Sequence, residues 1–180
     1  MASKMNNLPS ITSASSADQE LIQNMARFYA YEMSRYCGQM PGWEMPESGL
    51  YACRDLSRYF NEKNFFPFVI RVQKELAGFV LVNKVGTSPD VDWNIGEFFV
   101  LAKFQGCGIG REIAFQVFDR FEGIWEVAQM PNNLPAVKFW KKVVAVYAKD
   151  SFKESFQVIQ EPTPHPMIIL KFESNRRTSA

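Results

Sequence analysis

A glycine-rich run between a predicted strand and a predicted helix constrains this chain more than any other feature. The run is QGCGIGR at 105–111, and the apolar segment 95–101 precedes it. The helix after it is marked by apolar residues spaced four apart: Ile109, Ile113, Val117 and Phe121. The first amides of a helix have no partner inside it, the helix dipole favours negative charge there, and glycine admits a close approach to the backbone. The sequence therefore predicts a site for a phosphate-bearing ligand near residue 105.

The spacing of the glycines narrows the kind of phosphate site. A dinucleotide fingerprint that starts at Gly106 would need glycine where Arg111 stands. A Walker A loop would need glycine at the same position and lysine after it, and the next residue is glutamate. A kinase glycine loop fails at Arg111 too, and it would continue into a strand rather than a helix. The pattern that remains is Q-x-x-G-x-G, met by Gln105, Gly108 and Gly110.

A second segment downstream has the features of a strand followed by a capped helix. Ile124–Ala128 is the predicted strand, and the helix opens as NLPAVKFW at 133–140. Asn133 can cap this helix and Pro135 suits its first turn. Together with the glycine loop, the segment from Asp92 to Val144 resembles the GNAT acetyltransferase superfamily, whose helix opens as N-x-x-A-x-x-F-Y. The strings WNIGEFFV and AQMPNN resemble a branch of uncharacterised predicted acetyltransferases within it.

The resemblance implies both a fold and a co-substrate. GNAT proteins have an α/β (α+β) fold: a mixed, mostly antiparallel central sheet is flanked by helices, and a central pair of parallel strands splays apart. Acetyl-CoA enters that opening and rests its pyrophosphate on the glycine loop. Here the splayed pair would be the third strand and the strand at Ile124. The residues that the resemblance assigns to acetyl-CoA are Phe99, Val100, Leu101, Gln105, Gly106, Cys107, Gly108, Ile109, Gly110, Arg111, Asn133, Phe139 and Trp140.

Hydrophobic periodicity and turn residues predict the other elements independently of the motifs. Two helices lead, over Asp18–Tyr36 and Tyr51–Asn61, with a loop rich in proline and glycine between them. The remaining predicted strands are Phe66–Val72, Leu76–Val85, Asp92–Leu101, Val143–Ala148 and Met167–Phe172. The proline-rich stretch 161–166 predicts irregular structure. This order of elements agrees with the same α/β arrangement.

Length and composition predict one domain, because 180 residues can bury a substantial core. We expect a flexible lead over 1–16, a single GNAT-like domain over 17–173 and a flexible tail over 174–180. A net charge of +1 does not favour nucleic acid, and no apolar run approaches the roughly 20 residues that span a bilayer. Three cysteines at irregular spacing, with a single histidine, predict reduced thiols in a cytoplasmic protein and no metal site.

Glu97 is the candidate general base. A primary amine has a pKa of about 10.4, so it must lose a proton before it can attack a thioester. Glu97 lies on the strand that leads into the glycine loop, and Phe98 beside it could raise its pKa by desolvation. The resemblance supports a central-strand glutamate in this role. Strand alternation alone leaves a second reading open, in which Glu97 is a structural acid or points to the rear face.

The resemblance also assigns roles to backbone groups, and the sequence departs from the family pattern at one position. It implies that the backbone of Phe99, Val100 and Leu101 meets the pantetheine and the thioester oxygen, with the Val100 amide on that oxygen, although Phe99 and Leu101 are equally good core residues. The tyrosine that GNAT proteins carry after the helix phenylalanine is here Trp140, whose indole is not a usable acid. A thiol with a pKa of about 8.5 is a fairly good leaving group even without an acid to protonate it. We therefore expect the missing acid to slow the transfer rather than abolish it, or else a protein that only binds acyl-CoA.

Several residues near these motifs have two readings. Cys107 is expected to be a small loop residue rather than a nucleophile, and Arg111 and Lys103 either pair with a CoA phosphate or face solvent. The acceptor pocket should lie between the leading helices. Its candidate walls, which could equally be core, are Tyr36, Trp43, Met45 and Tyr51. Acids and arginines nearly balance there, so charge selects no substrate.

The sequence thus predicts an acetyl-CoA-dependent N-acetyltransferase that acts on a primary amine of a small molecule, by direct attack in a ternary complex. The alternatives are a protein or peptide acceptor, or a non-catalytic acyl-CoA-binding domain. The oligomeric state stays open between a monomer and a homodimer.

Overall fold

One mixed sheet of seven strands organises the part of the chain that the computed structural model describes, residues 8–160 and 163–174. Its order is β1-β2-β3-β4-β5-β7-β6, and every neighbouring pair is antiparallel except β4 and β5. The strands are β1 (Pro9–Ser13), β2 (Phe65–Val72), β3 (Glu75–Asn83), β4 (Trp93–Val100), β5 (Gly123–Gln129), β6 (Phe152–Ile159) and β7 (His165–Ser174). The predicted fold class, a mostly antiparallel sheet with one parallel central pair, is confirmed.

Four helices cover the two faces of this sheet: α1 (Gln19–Cys37), α2 (Arg58–Asn61), α3 (Ile109–Phe118) and α4 (Leu134–Tyr147). Alternation along β3 shows the division, because Phe79 and Leu81 pack with α1 and α2 while Val80 and Val82 pack with α3 and α4. The larger core lies on the α3 and α4 side. No helix in the described ranges is both long and apolar enough to cross a membrane.

Strand β4 changes its neighbours along its length. It pairs with β5 over only three residue pairs, from Trp93–Trp125 to Ile95–Val127, and the two strands then separate. Its register with β3 shifts at the same level, because Leu81 pairs with Glu97 while Val82 pairs with Ile95. Gly96 is therefore the extra residue of a β-bulge. A bulge bends a strand and re-aims its side chains.

Two expected elements differ from the structure, and one strand was not expected. Val143–Ala148 is not a strand but the last turns of α4 and its C-cap; Trp140, Val143, Val144 and Tyr147 are buried at helical spacing. Only Arg58–Asn61 of the expected second helix is helical. The strand β6 was not predicted: six of its eight side chains are exposed, and Glu154 interrupts the alternation of Phe152, Phe156 and Val158. At Val143–Ala148 the packing of α4 outweighed the strand-like local composition.

The expected flexible ends also need correction where the structure describes them. Pro9–Ser13 of the expected lead pairs with β2, and Ile11 joins the core. Ser174 ends β7, and its hydroxyl donates to the carbonyl of Phe118. His165 and Pro166 begin β7, although the prolines of 161–166 predicted irregular structure. Strand β5 does not pair with these two residues, because its pairing with β7 begins at Ile168. Residues 1–7, 161–162 and 175–180 lie outside the described residues.

We expect Gly96→Ala to destabilise the protein. A Cβ at this position would collide with the Tyr59 hydroxyl and lie 2.6 Å from Nδ2 of Asn83. Overpacking forces such neighbours to move, so the free energy of unfolding should fall by about 1–3 kcal/mol, as measured by chemical denaturation. Adding Tyr59→Phe should restore part of the loss, because it removes the nearest atom. A Gly96→Ala protein as stable as its parent would contradict the tight packing at the bulge.

Candidate active site

The opening between β4 and β5 exposes backbone groups of β4. The Leu101 amide donates to the carbonyl of Ala77 on β3, at 2.8 Å. Because residues of an antiparallel strand alternate in the side to which their N–H and C=O point, the groups of Phe98 and Val100 point away from β3, into the opening. Among the three residues expected to offer backbone groups, Val100 is thus free to do so. The Leu101 amide is engaged in the sheet, and Phe99 shares its orientation.

The glycine loop has the backbone that its sequence predicts. Gly106 and Gly108 have φ of +73° and +82°, the left-handed region that glycine adopts without strain. No atom lies within 4 Å of where a Cβ of either would stand. The first hydrogen bond of α3 runs from the Glu112 amide to the Gly108 carbonyl, at 3.2 Å. The amides of 108–111 have no hydrogen-bond partner within the described chain, so four N–H groups are available to an anion at the N-terminus of a ten-residue helix.

The other residues in and beside the loop differ in their contacts and in their exposure to solvent. Gln105 donates from Nε2 to the carbonyl of Val100 at 2.8 Å, which ties the loop to β4. Cys107 is exposed and Arg111 is exposed, whereas Ile109 is buried in the α3 and α4 core. Lys103 pairs with Glu75 at 2.6 Å, so its cation is already engaged by a neighbour.

The start of α4 closes the other wall of the opening. The Asn133 side chain accepts from the Ala136 amide at 3.2 Å and so caps α4, as predicted. Phe139 approaches the glycine loop closely, because a Cβ at Gly110 would lie 3.1 Å from its ring. Glycine is therefore needed at this position because α3 and α4 pack closely there.

Trp140 is a core residue on the α3 and α4 side. Its ring centroid lies 5.0 Å from that of Phe98 in an edge-on arrangement and 6.4 Å from that of Phe118, and only 6% of the residue is exposed. Phe98, Phe139 and Trp140 thus form one aromatic cluster that joins β4 to α4. Tyr147, the tyrosine of α4, lies at the far end of the helix, where its hydroxyl donates to Asp119 and contacts Ser174.

Glu97 faces the opposite side of the sheet, the side covered by α1 and α2. Because of the bulge at Gly96, its side chain shares a face with Leu81 and Phe99 rather than with Ile95. It is half-buried and accepts a hydrogen bond from the hydroxyl of Tyr29 on α1. Burial raises the pKa of Glu97, while the Tyr29 hydrogen bond and the charge of Arg54 act in the opposite direction. A carboxyl group whose pKa is raised by desolvation suits a general base.

Tyr29 and Gln129 are candidate site residues that the sequence did not indicate. The Tyr29 ring packs against Phe79 and Phe99, and its pKa is raised well above the usual value by burial and by the Glu97 charge. Gln129 ends β5, where that strand leaves β4; its Nε2 donates to the Ile168 carbonyl, and its buried Oε1 has no partner in the described chain. A tyrosine on an apolar helix face needs a partner for its hydroxyl, and this was the only available signal for Tyr29.

The expected acceptor region adjoins Glu97 through α1. Cys37 at the end of α1 lies 3.0 Å from Sδ of Met130, sulfur to sulfur, and Asn132 donates to the Tyr36 carbonyl at 3.0 Å. Helix α1 therefore reaches across the opening to the segment between β5 and α4. Tyr51 packs edge-on to Tyr31 at 6.2 Å, whereas Met45 is 54% exposed.

The residues present fit acetyl-CoA. Unpartnered amides at the start of α3 can hold its pyrophosphate, and the inward-pointing backbone of Phe98, the Val100 amide and the unpaired Gln129 oxygen offer partners to its amides. No group of three or more His, Cys, Asp or Glu side chains in the described ranges is arranged to hold a metal ion.

Comparison with known proteins agrees with this geometry. The model of the acetyltransferase (GNAT) family matches residues 27–144. No curated protein sequence matches the chain. Similar structures include the ribosomal-protein-S18-alanine N-acetyltransferase of Escherichia coli (12% identity, 96% of this chain and 97% of that one, TM-score 0.60). AAC(6')-Ib in complex with ribostamycin and coenzyme A is similar too (14% identity, 96% of this chain and 98% of that one, TM-score 0.63). So is a spermidine N-acetyltransferase SpeG chimera from Vibrio cholerae and hSSAT (15% identity, 92% of this chain and 95% of that one, TM-score 0.60).

Since the family model covers more than half of the chain, the protein belongs to the GNAT acetyltransferase family. It is an acetyl-CoA-dependent N-acetyltransferase. The solved structures are distant in sequence, and their likeness shows the shared fold.

Trp140 should be needed for packing and not as an acid. Trp140→Ala opens a large cavity between Phe98 and Phe118, so we expect a loss of about 3–5 kcal/mol in unfolding free energy. Trp140→Phe keeps a ring and removes the N–H, so turnover should be largely retained. Thermal denaturation and release of free thiol from acetyl-CoA measure the two effects. A stable Trp140→Phe protein with turnover reduced by orders of magnitude would assign the indole N–H a catalytic role.

Proposed function

We propose that this protein transfers the acetyl group of acetyl-CoA to a primary amine of a small molecule, by direct attack in a ternary complex. The observation that carries this proposal is the arrangement on β4. The Glu97 carboxyl group faces the α1 side, and the Val100 amide, three residues on, faces the opening towards β5. One short strand thus offers a base on the acceptor side and a donor beside the thioester.

In this proposal Glu97 takes the proton of the acceptor ammonium, directly or through water, and frees the lone pair. A nitrogen–carbon bond then forms at the thioester carbonyl, the carbon–sulfur bond breaks, and the departing thiolate takes up a proton. The Val100 amide N–H stabilises the carbonyl oxygen as it gains negative charge, and a donor fixed in a closed site contributes strongly. The unpartnered amides of 108–111 hold the pyrophosphate.

Tyr29 orients Glu97 and tunes its basicity. A hydrogen bond to the charged form of a carboxyl group favours that form, so Tyr29 keeps the pKa of Glu97 below the value that burial alone would give. Glu97 works as a base only when ionised, and the ionised fraction increases as the pH rises through its pKa. The three free thiols, Cys37, Cys53 and Cys107, support a reducing compartment, and we propose the cytoplasm.

The binding half of the proposal is tested at Gly108. Valine at this position would be strained at φ +82° and would block the approach of a phosphate, so Gly108→Val should weaken acetyl-CoA binding by tenfold or more in calorimetry. The matched control is Gly49→Val, because Gly49 also has a positive φ (+70°) and open space but lies in the loop after α1. Undiminished affinity of the Gly108→Val protein would remove the loop from the acetyl-CoA site.

The catalytic half is tested by the pH dependence of kcat/KM. Tyr29→Phe removes the hydrogen bond that lowers the pKa of Glu97, so the acid limb of the profile should move to higher pH. Glu97→Gln should keep acetyl-CoA affinity, lose about 100-fold or more in turnover at neutral pH and recover partly at high pH. Tyr31→Phe, exposed on the same helix, is the control for Tyr29. Full turnover of Glu97→Gln with a good acceptor would exclude Glu97 as the base.

A further inference from the structure

Strand β6 forms one edge of the sheet, and its outer side is open to another strand. It pairs with β7 along all eight of its residues. Beyond that pairing, the β6 backbone has one hydrogen bond in the described ranges, a local contact of 3.4 Å from Nε2 of Gln160 to the Val158 carbonyl. Every second residue of β6 points its N–H and C=O groups away from β7, so this edge can accept a further strand.

The opposite edge of the sheet, in contrast, is closed by side chains of the α3 region. The Ala14 amide, directly after β1, donates to a carbonyl of β2, so the groups of Pro9 and Ile11 point away from β2 by alternation. Gln116 of α3 donates to the Pro9 carbonyl at 2.9 Å, and Arg120 donates to the Ile11 carbonyl at 2.8 Å. Such cover protects an edge strand from further pairing. Strand β6 has no equivalent cover from residues 8–160 and 163–174.

The side of β6 that faces α4 carries exposed apolar side chains. Glu154 pairs with Lys141 of α4 at 2.8 Å, which shows that this side of the strand is turned towards α4. Phe156 and Val158 follow at alternate positions on the same side, and they are 65% and 53% exposed. An open strand edge with large exposed apolar side chains beside it indicates an interaction surface.

The sequence of β6 is complementary to itself when two copies pair in antiparallel fashion about a two-fold axis at Gln157. Phe156 of one copy then lies opposite Val158 of the other, so apolar side chains meet in both halves of the pairing. Glu154 lies opposite Gln160, so no like charges meet. With the axis at Phe156, Glu154 would lie opposite Val158, and with the axis at Glu154 two carboxylates would meet.

We propose that β6 joins two copies of this protein into a homodimer, with Gln157 on the two-fold axis and the two seven-stranded sheets continuous across it. The partner is a second copy because one register matches β6 to itself and covers Phe156 and Val158 of both copies. A closed two-fold interface is the commonest form of oligomer. The dimer does not depend on the acceptor or on the proposed catalytic steps, so the two proposals can fail separately.

Sedimentation velocity of the full chain over micromolar concentrations measures the assembly. The parent protein should sediment as a dimer, and Phe156→Glu should weaken dimerisation by about 100-fold or more, because its carboxylate would be buried opposite Val158 without a partner. Circular dichroism should be unchanged, since Phe156 is exposed in a single copy. Phe28→Glu is the matched control, because Phe28 is 60% exposed on α1 and its replacement should leave the dimer intact.

Disulfide cross-linking tests the register without altering Phe156. Gln157→Cys, combined with Cys107→Ser to remove the exposed thiol, should form a covalent dimer on mild oxidation. Opposed Cα atoms of an antiparallel pair lie about 4.5–5.5 Å apart, within the range that a disulfide spans. Ser155→Cys is the control, because its Cα would lie about 13 Å from its counterpart along the strands.

Three results would overturn the proposal. The first is a parent protein that remains monomeric, and the second is a dimer that Phe156→Glu leaves intact. The third is cross-linking of Ser155→Cys in place of Gln157→Cys, since it would move the axis and remove the match of Phe156 with Val158. If Phe156→Glu fails to fold, the two cysteine variants still decide between these outcomes.

Discussion

The separation of β4 from β5 after a pairing of three residues is the constraint on which the rest of the site depends. Unpaired strand edges inside a protein leave backbone groups that need partners, and such groups are normally satisfied. Here the edge is left open where Phe98 and Val100 point, next to a helix whose first amides are also unpartnered. An extended ligand with amides and phosphates would supply partners to both, which supports the proposal that acetyl-CoA binds in this opening of the sheet.

The bulge at Gly96 gives the same strand a second function. Without the extra residue, Glu97 would share a face with Ile95 and point into the α3 and α4 core. With it, the carboxyl group turns to Tyr29 on α1, while Phe98 still packs against Trp140. In the proposed mechanism these adjacent residues therefore have separate roles: the face with Phe98 supports the bound co-substrate, and the face with Glu97 receives the acceptor. The aromatic cluster of Phe98, Phe139 and Trp140 packs this part of β4 against α4.

Local features could be predicted from the sequence, and features set by packing could not. The positive φ at Gly108, the Asn133 cap and the order of elements follow from residue types at fixed spacing. Strand alternation could not assign a face to Glu97, because a bulge depends on the partner strand. Val143–Ala148 has the composition of a strand but continues a helix whose buried positions recur at helical spacing. The Tyr29 contact joins residues 68 positions apart, and nothing in either local pattern indicates it.

The surroundings of Glu97 set its basicity. Burial raises its pKa, while Tyr29 and Arg54 oppose that rise. A general base works best when its pKa lies near the operating pH, well above the usual value of about 4.3 for glutamate. Burial therefore moves Glu97 towards the basicity that the proposed reaction needs, and the Tyr29 hydroxyl keeps its ionised form accessible.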